Sequence, residues 1–203
     1  MKLLDGPRLH VDGQMAWFVL ALCLAGGFSP GCDSKLSAPA TSESQAEPPV
    51  GLPSVTLIEG NSQTLASMLA KHRGKVVLVD FWATWCGPCV KQFPHLIELS
   101  SKHREAGLAV VSVSMNEPKE REAVLAFLKR QKADFDNLLP EYGAGSRFLE
   151  AFDLRGDVPF YKLYDSQGVL RYSFSDDPSG IKNCQSIEKI DQRVEDLLGE
   201  KRQ

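Results

Sequence analysis

The stretch Val76-Val77-Leu78-Val79-Asp80-Phe81-Trp82-Ala83-Thr84-Trp85-Cys86-Gly87-Pro88-Cys89 decides how this chain folds. Its first half is a β-branched apolar run, the composition of a strand buried on both faces. Its second half sets two cysteines around Gly87-Pro88. A helical pattern follows, with Phe93, Leu96, Ile97 and Leu99 on one face. This order places Cys86 at the positive end of a helix dipole, where orphan amide donors favour the thiolate. Cys89 comes one turn later, near enough to close a small disulfide ring. A thiolate backed by a second thiol is suited to thiol–disulfide exchange.

Val79 through Cys89 resembles the thioredoxin active-site segment almost letter for letter, including Asp80, Trp82, Trp85, Gly87 and Pro88. The resemblance implies Cys86 as nucleophile and Cys89 as the more buried resolving thiol. It implies Asp80 behind Cys89 as proton relay, with a pKa raised by desolvation at the end of an apolar strand. Gly87 and Pro88 would set the redox poise. Trp85 would be partly exposed and offer a flat apolar contact to a partner protein, whereas Trp82 would pack beside the site or in the core. Val158-Pro159 matches the second signature of this fold, a cis proline facing the CxxC that leaves backbone free to pair with an extended substrate. Pro94 matches the helix proline and predicts a kink, because it removes a backbone donor.

Outward from the CxxC, the patterns predict β-α-β-α-β-α-(β)-α-β-β-α. Val55 to Ile58 is the first strand. Ser62 or Thr64 caps a helix bearing Leu65, Met68 and Leu69, stopped at Gly74. Leu108 to Met115 is a strand. Asn116-Glu117-Pro118 opens a helix through Val124 and Phe127, and Phe135 to Leu139 is a brief extended piece. Gly145 to Phe152 is a short helix. Val158 to Tyr164 and Val169 to Phe174 form a hairpin around Asp165-Ser166-Gln167-Gly168. Ser186 to Leu198 closes the chain as an amphipathic helix. Early strands joined by helices pair in parallel and the late hairpin must be antiparallel. The expected fold class is therefore α/β: a thioredoxin fold, a mixed central sheet flanked by helices. Glu117 to Leu139 resembles the helix–strand insertion of the TlpA/ResA-like membrane-tethered bacterial thioredoxins, and the likeness spans Val55 to Leu198.

Residues 1–32 read as an export signal. Lys2 and Arg8 precede the apolar run Met15 to Phe28, which is short for a transmembrane helix. Small residues before Cys32 resemble a lipoprotein cleavage site, with Cys32 lipidated and serving as a membrane anchor. An uncleaved anchor or ordinary signal cleavage are the alternatives. Residues 33–54, rich in Ser, Ala, Pro and Glu, form a flexible linker. Residues 55–203 are the thioredoxin-like domain. The expected location is periplasmic or otherwise extracytoplasmic.

A net charge of −3 without a basic stripe argues against nucleic acid. The five cysteines are Cys23 in the apolar run, Cys32, the CxxC, and a solitary Cys184, read as a buried thiol without a partner. That is neither a disulfide framework nor a four-ligand zinc site. His72, His95 and His103 read as isolated surface residues.

The resemblance implies an exported thiol:disulfide oxidoreductase, acting as a reductase on protein thiol/disulfide substrates. Cytochrome c maturation is one use for it. A membrane thiol electron donor is implied, together with a monomeric state and no cofactor or metal. Gln92 stands where the TlpA/ResA-like proteins carry glutamate, Ser112 where thioredoxins place a lysine beside the buried aspartate, and Val158 lacks the hydroxyl of the common Thr. A thiol peroxidase would want threonine at position 83, where Ala83 stands. A copper-binding metallochaperone on this fold would favour wider cysteine spacing and a later histidine, and no histidine follows His103.

Overall fold

The computed structural model describes residues 54–155, 158–181 and 183–200. The export signal with Cys23 and Cys32, the linker through residue 53, and Asp157 lie outside the described residues. No described helix is long and apolar enough to cross a membrane.

Among the described residues, seven strands form one sheet in the order β1-β4-β3-β2-β5-β6-β7. β1 is Ile58–Gly60, β2 Val76–Trp82, β3 Leu108–Ser114 and β4 Asp136–Pro140. β5 is Phe160–Tyr164, β6 Leu170–Ser175 and β7 Cys184–Ser186. β1, β4, β3 and β2 pair in parallel, β5 runs antiparallel to both β2 and β6, and β7 pairs parallel to β6. Every residue of β2 and β3 is buried, which explains their unbroken Val-rich composition.

The helices are α1 Ser62–Lys71, α2 Gly87–His103, α3 Arg121–Gln131, α4 Ser146–Ala151 and α5 Ile190–Glu200. Alternation along β2 sends Phe81 and Trp82 to opposite faces. Phe81 packs on Phe148 of α4 and on Phe152. Trp82 packs on Phe93 of α2 and Phe127 of α3, with ring centroids 4.8 Å apart in both pairs. α5 lies beside α2, joined by His95–Asp191 and Lys102–Glu195 contacts of 2.8 and 3.1 Å. The sheet is thus a middle layer between helices, the expected thioredoxin architecture. β4 seats itself between β1 and β3, so the α3–β4 unit widens the parallel half of the sheet.

Several boundaries differ from the sequence reading. The first strand begins at Ile58, and the cap of α1 is Asn61, one residue before Ser62. The Asn61 carboxamide oxygen accepts from the Gln63 and Thr64 amides, and Thr64 Oγ1 accepts the Asn61 amide in return. A carboxamide at that position reaches two orphan donors at once. α2 runs unbroken from Gly87 to His103 with Pro94 inside it. The final helix starts later than Ser186: β7 takes Cys184–Ser186, and a 3-10 turn, Ile187–Lys189, leads into α5.

The histidines are not isolated. His72 Nε2 lies 2.8 Å from Asp136 and is half-buried, His95 meets Asp191, and His103 approaches Glu195 at 3.8 Å. The carboxylates come from β4 and α5, far away in sequence. Cys184 is half-buried on the edge strand, and burial raises its thiol pKa.

Candidate functional site

β2 delivers the chain to the redox pair. It ends at Trp82, the Cys86 amide bonds back to the Ala83 carbonyl at 3.1 Å, and α2 begins at Gly87 with Cys86 as its N-cap. Pro88 sits in the first turn, where a missing amide is tolerated. Cys86 and Cys89 are joined in a disulfide, Cα atoms 5.3 Å apart. The Cys89 amide points at Cys86 Sγ, 3.2 Å away. That donor and the helix dipole both stabilise negative charge on this sulfur once the disulfide opens.

Cys86 is less open than expected, 6% exposed against 2% for Cys89. The Val158 carbonyl covers it, with oxygen 3.6 Å from Cys86 Sγ. The disulfide sulfur carries no hydrogen, so this is a packing contact that a reduced thiol can convert into a hydrogen bond. The Val158–Pro159 peptide is cis, as the resemblance implied. The rim is exposed: Trp85 at 56%, with Gly87 and Pro88 beside it. Trp82 is fully buried, and its indole nitrogen has no partner among the described residues.

Asp80 lies deep in the sheet rather than at its end, 2% exposed between β3 and β5. By alternation it shares the α2 face with Trp82. Cys89 and Phe93, one helical turn apart, lie on the stripe of α2 that packs over this face. Asp80 Oδ1 has no hydrogen-bond partner among the described residues. Burial pushes its carboxyl well above the usual carboxylate range. Ser112 is its register partner on β3, but the Ser112 hydroxyl donates to Asn137 Oδ1 at 2.7 Å. Gln92 is half-buried on α2, and among the described residues no cation is directed at the carboxyl.

Three residues of this region escaped the sequence reading. Tyr161 on β5 is the antiparallel register partner of Asp80 and is buried beside it. Burial raises its phenol pKa, and the negative charges of Asp80 and Asp176 add to that. Asn116 is wholly buried and anchors the loop before Cys86. Its carboxamide accepts from the Thr84 amide and the Ser114 hydroxyl, both at 2.9 Å, and donates to Thr84 Oγ1 at 2.7 Å and Glu120 at 3.3 Å. Lys162 of β5 points to the opposite face. Buried, with its pKa lowered by that burial, it donates to the Phe152 and Asp153 carbonyls at 2.8 and 2.9 Å. The Asp80–Tyr161, Thr84–Asn116 and Lys162 pairings do not follow from local spacing. They require knowing which strands adjoin.

The Redoxin family profile matches residues 45–189. The chain belongs to the Redoxin family. Its sequence is similar to proteins named thiol-disulfide oxidoreductase ResA. That from Bacillus cereus is 30% identical over 116 residues, 57% of this chain and 61% of the relative. That from Bacillus anthracis is 36% identical over 116 residues with the same coverage. That from Bacillus subtilis is 30% identical over 102 residues, 50% and 54% of the two chains. The chain therefore spans less than two thirds of the length of these relatives. The thioredoxin domain of a thiol-disulfide oxidoreductase from Bacteroides vulgatus superposes with a TM-score of 0.51 at 22% identity. That match covers 64% of this chain and 84% of the neighbour, and it shows the thioredoxin fold. The ResA-like resemblance of the CxxC segment thus extends over about half of the chain.

Proposed function

We propose that the chain is an exported thiol:disulfide oxidoreductase that reduces disulfides of protein clients. The observation that carries this reading is the Cys86–Cys89 pair at the N-terminus of α2, with the Cys89 amide on Cys86 Sγ and the Val158 carbonyl across from it. The ResA names of its relatives support the same activity.

In the reduced enzyme the Cys86 thiolate attacks a client disulfide. One client sulfur leaves as thiolate and the other joins Cys86 in a mixed disulfide. Cys89 then loses its proton to Asp80 and attacks Cys86 Sγ, which releases the second client thiolate and closes the Cys86–Cys89 disulfide. Asp80 suits this step because burial raises its proton affinity towards that of a thiol. The client backbone lies against Val158 and Pro159, and Trp85 with Gly87 and Pro88 forms the contact rim. A membrane thiol donor returns electrons to the pair, and Cys32 holds the domain at the membrane through its lipid. Apocytochrome c is one client class that such a reductase serves.

A Cys89→Ser variant should accumulate mixed disulfides through Cys86, and the wild type should reduce insulin disulfides. If the variant traps nothing and insulin stays oxidised, the activity is wrong. The reduction potential against glutathione decides the direction of flow, and labelled fatty acid appearing in wild type but not in Cys32→Ser tests the anchor.

A further inference from the structure

The redox pair occupies one end of the domain, and the other end is basic. β2 and β3 both run towards Cys86, so Lys75 and Leu108 mark the far end. α2 leaves Cys86 and runs 17 residues to that end, about 25 Å away. α3 starts beside the Thr84–Asn116 contact and runs the same way. Three clusters therefore converge there: Lys71-His72-Arg73-Gly74-Lys75 at the end of α1, Lys102-His103-Arg104 at the end of α2, and Lys129-Arg130-Gln131-Lys132 at the end of α3.

Two cavities join them. One of about 200 Å³ takes Lys75, Arg104 and His72, and a groove of about 540 Å³ takes Arg104, Lys129 and Lys132 over Val55 and Ile97. Every lysine and arginine of these clusters is exposed. The carboxylates among them are Glu105, Asp134 (which lines both cavities), Asp136, and Glu195 of α5, which meets Lys102 at 3.1 Å. Asp134 is held by Arg104, and Asp136 by Lys71 and His72. Lys75, Lys129 and Lys132 have no carboxylate partner among the described residues. Cations at helix C-termini complement the helix dipoles, which explains some of them. It does not explain why three helices bring them to one face of a chain whose net charge is −3.

We propose that this end docks on anionic phospholipid, the lysines of the α2–α3 groove meeting headgroup phosphates. The occupant follows from charge and from the tether. Val55, in the groove itself, is the first residue beyond the linker, so the tether proposed to carry the lipid at Cys32 joins the domain at this face. Docked in this way, the domain holds Cys86 and Trp85 away from the surface, open to clients. The inference deepens the membrane-anchor reading; the disulfide exchange with clients is unchanged, and recharging by the membrane donor requires the domain to undock on its tether.

The test uses the full chain on vesicles of phosphatidylcholine alone and of phosphatidylcholine with phosphatidylglycerol. Binding to the neutral vesicles reports the N-terminal segment, and the excess on anionic vesicles reports the basic end. Each basic side chain near such a surface gives about a five-fold gain in binding. Lys129→Gln/Lys132→Gln should therefore lower the anionic excess about 25-fold while binding to neutral vesicles stays unchanged. Lys119→Gln/Lys189→Gln, exposed lysines outside the groove, should leave the excess intact. Raising salt from about 0.01 to 0.15 M, which shortens screening from about 30 to 8 Å, should remove most of it. Equal binding to both vesicle types overturns the proposal, as does equal loss in the two double variants. Insulin reduction by the same preparations shows that each variant is folded and tests the enzymatic reading separately.

Discussion

Replacing Asp80 with asparagine isolates what the buried carboxyl does. The side chain is 2% exposed, Oδ1 has no partner among the described residues, and burial alone drives its pKa upward. The folded protein therefore holds this proton more tightly than the unfolded chain, whose aspartates titrate near about 3.9. Below that pH both states are protonated, and the group is neutral towards stability. Above it the unfolded chain gives up its proton while the folded one keeps it. Stability then falls at about 1.4 kcal/mol per pH unit, until the folded carboxyl ionises as well. Asparagine is neutral throughout. The stability difference, variant minus wild type, should rise with that slope from about pH 4 and level off at the folded-state pKa. For a domain of this size about 1 kcal/mol corresponds to about 2–4 °C, so each pH unit in the window separates the two melting curves by about 3–6 °C. Urea unfolding of the oxidised forms across about pH 4–8 measures it, and the subtraction cancels groups common to both. A flat difference, or a variant less stable at neutral pH, would refute the reasoning by showing an ionised, well-partnered carboxylate. Activity should move the other way. Asparagine takes no proton from Cys89, so mixed-disulfide resolution should slow by about 10²–10⁴-fold in single-turnover kinetics.

Phe93→Ala removes the ring that meets Trp82, Phe127 and Phe135, and should cost about 3–5 kcal/mol in urea unfolding. Asn116→Ala orphans the Thr84 amide and hydroxyl, and should cost about 2–4 kcal/mol. Because Thr84 fixes the turn that presents Cys86, the same variant should shift the Cys86 thiolate titration, followed by ultraviolet absorbance of the reduced form. Lys162→Met leaves the Phe152 and Asp153 carbonyls without their buried donor. It should destabilise by about 1–3 kcal/mol per orphaned group while the thiolate titration stays in place.

What the sequence made legible was local. The Val-rich run, the cysteine spacing and the helical stripe through Phe93 each declare themselves within a few residues, and β2, the redox turn and α2 formed as read. Non-local pairings were silent. His72 finds Asp136 across 64 residues and Asn116 finds Thr84 across 32, so no spacing rule reaches either. β7 was missed because Cys184-Gln185-Ser186 has no apolar pattern of its own and becomes a strand only by pairing with β6.

Asp80 shows why the distinction bears on chemistry. The resemblance placed Ser112 where thioredoxins carry a lysine, and register puts Asp80 and Ser112 side by side. What it could not show is that the Ser112 hydroxyl is committed to Asn137, whose amide is in turn spent on the Thr56, Ala133 and Phe135 carbonyls. The neighbouring strand therefore offers the acid nothing. Its partner across β5 is Tyr161, a residue that carries no charge to pair with it. Desolvation thus acts on Asp80 without a counter-charge, and the proton affinity of the proposed relay is set by how β3 and the antiparallel hairpin flank β2, with Asn137 of the inserted β4 holding Ser112.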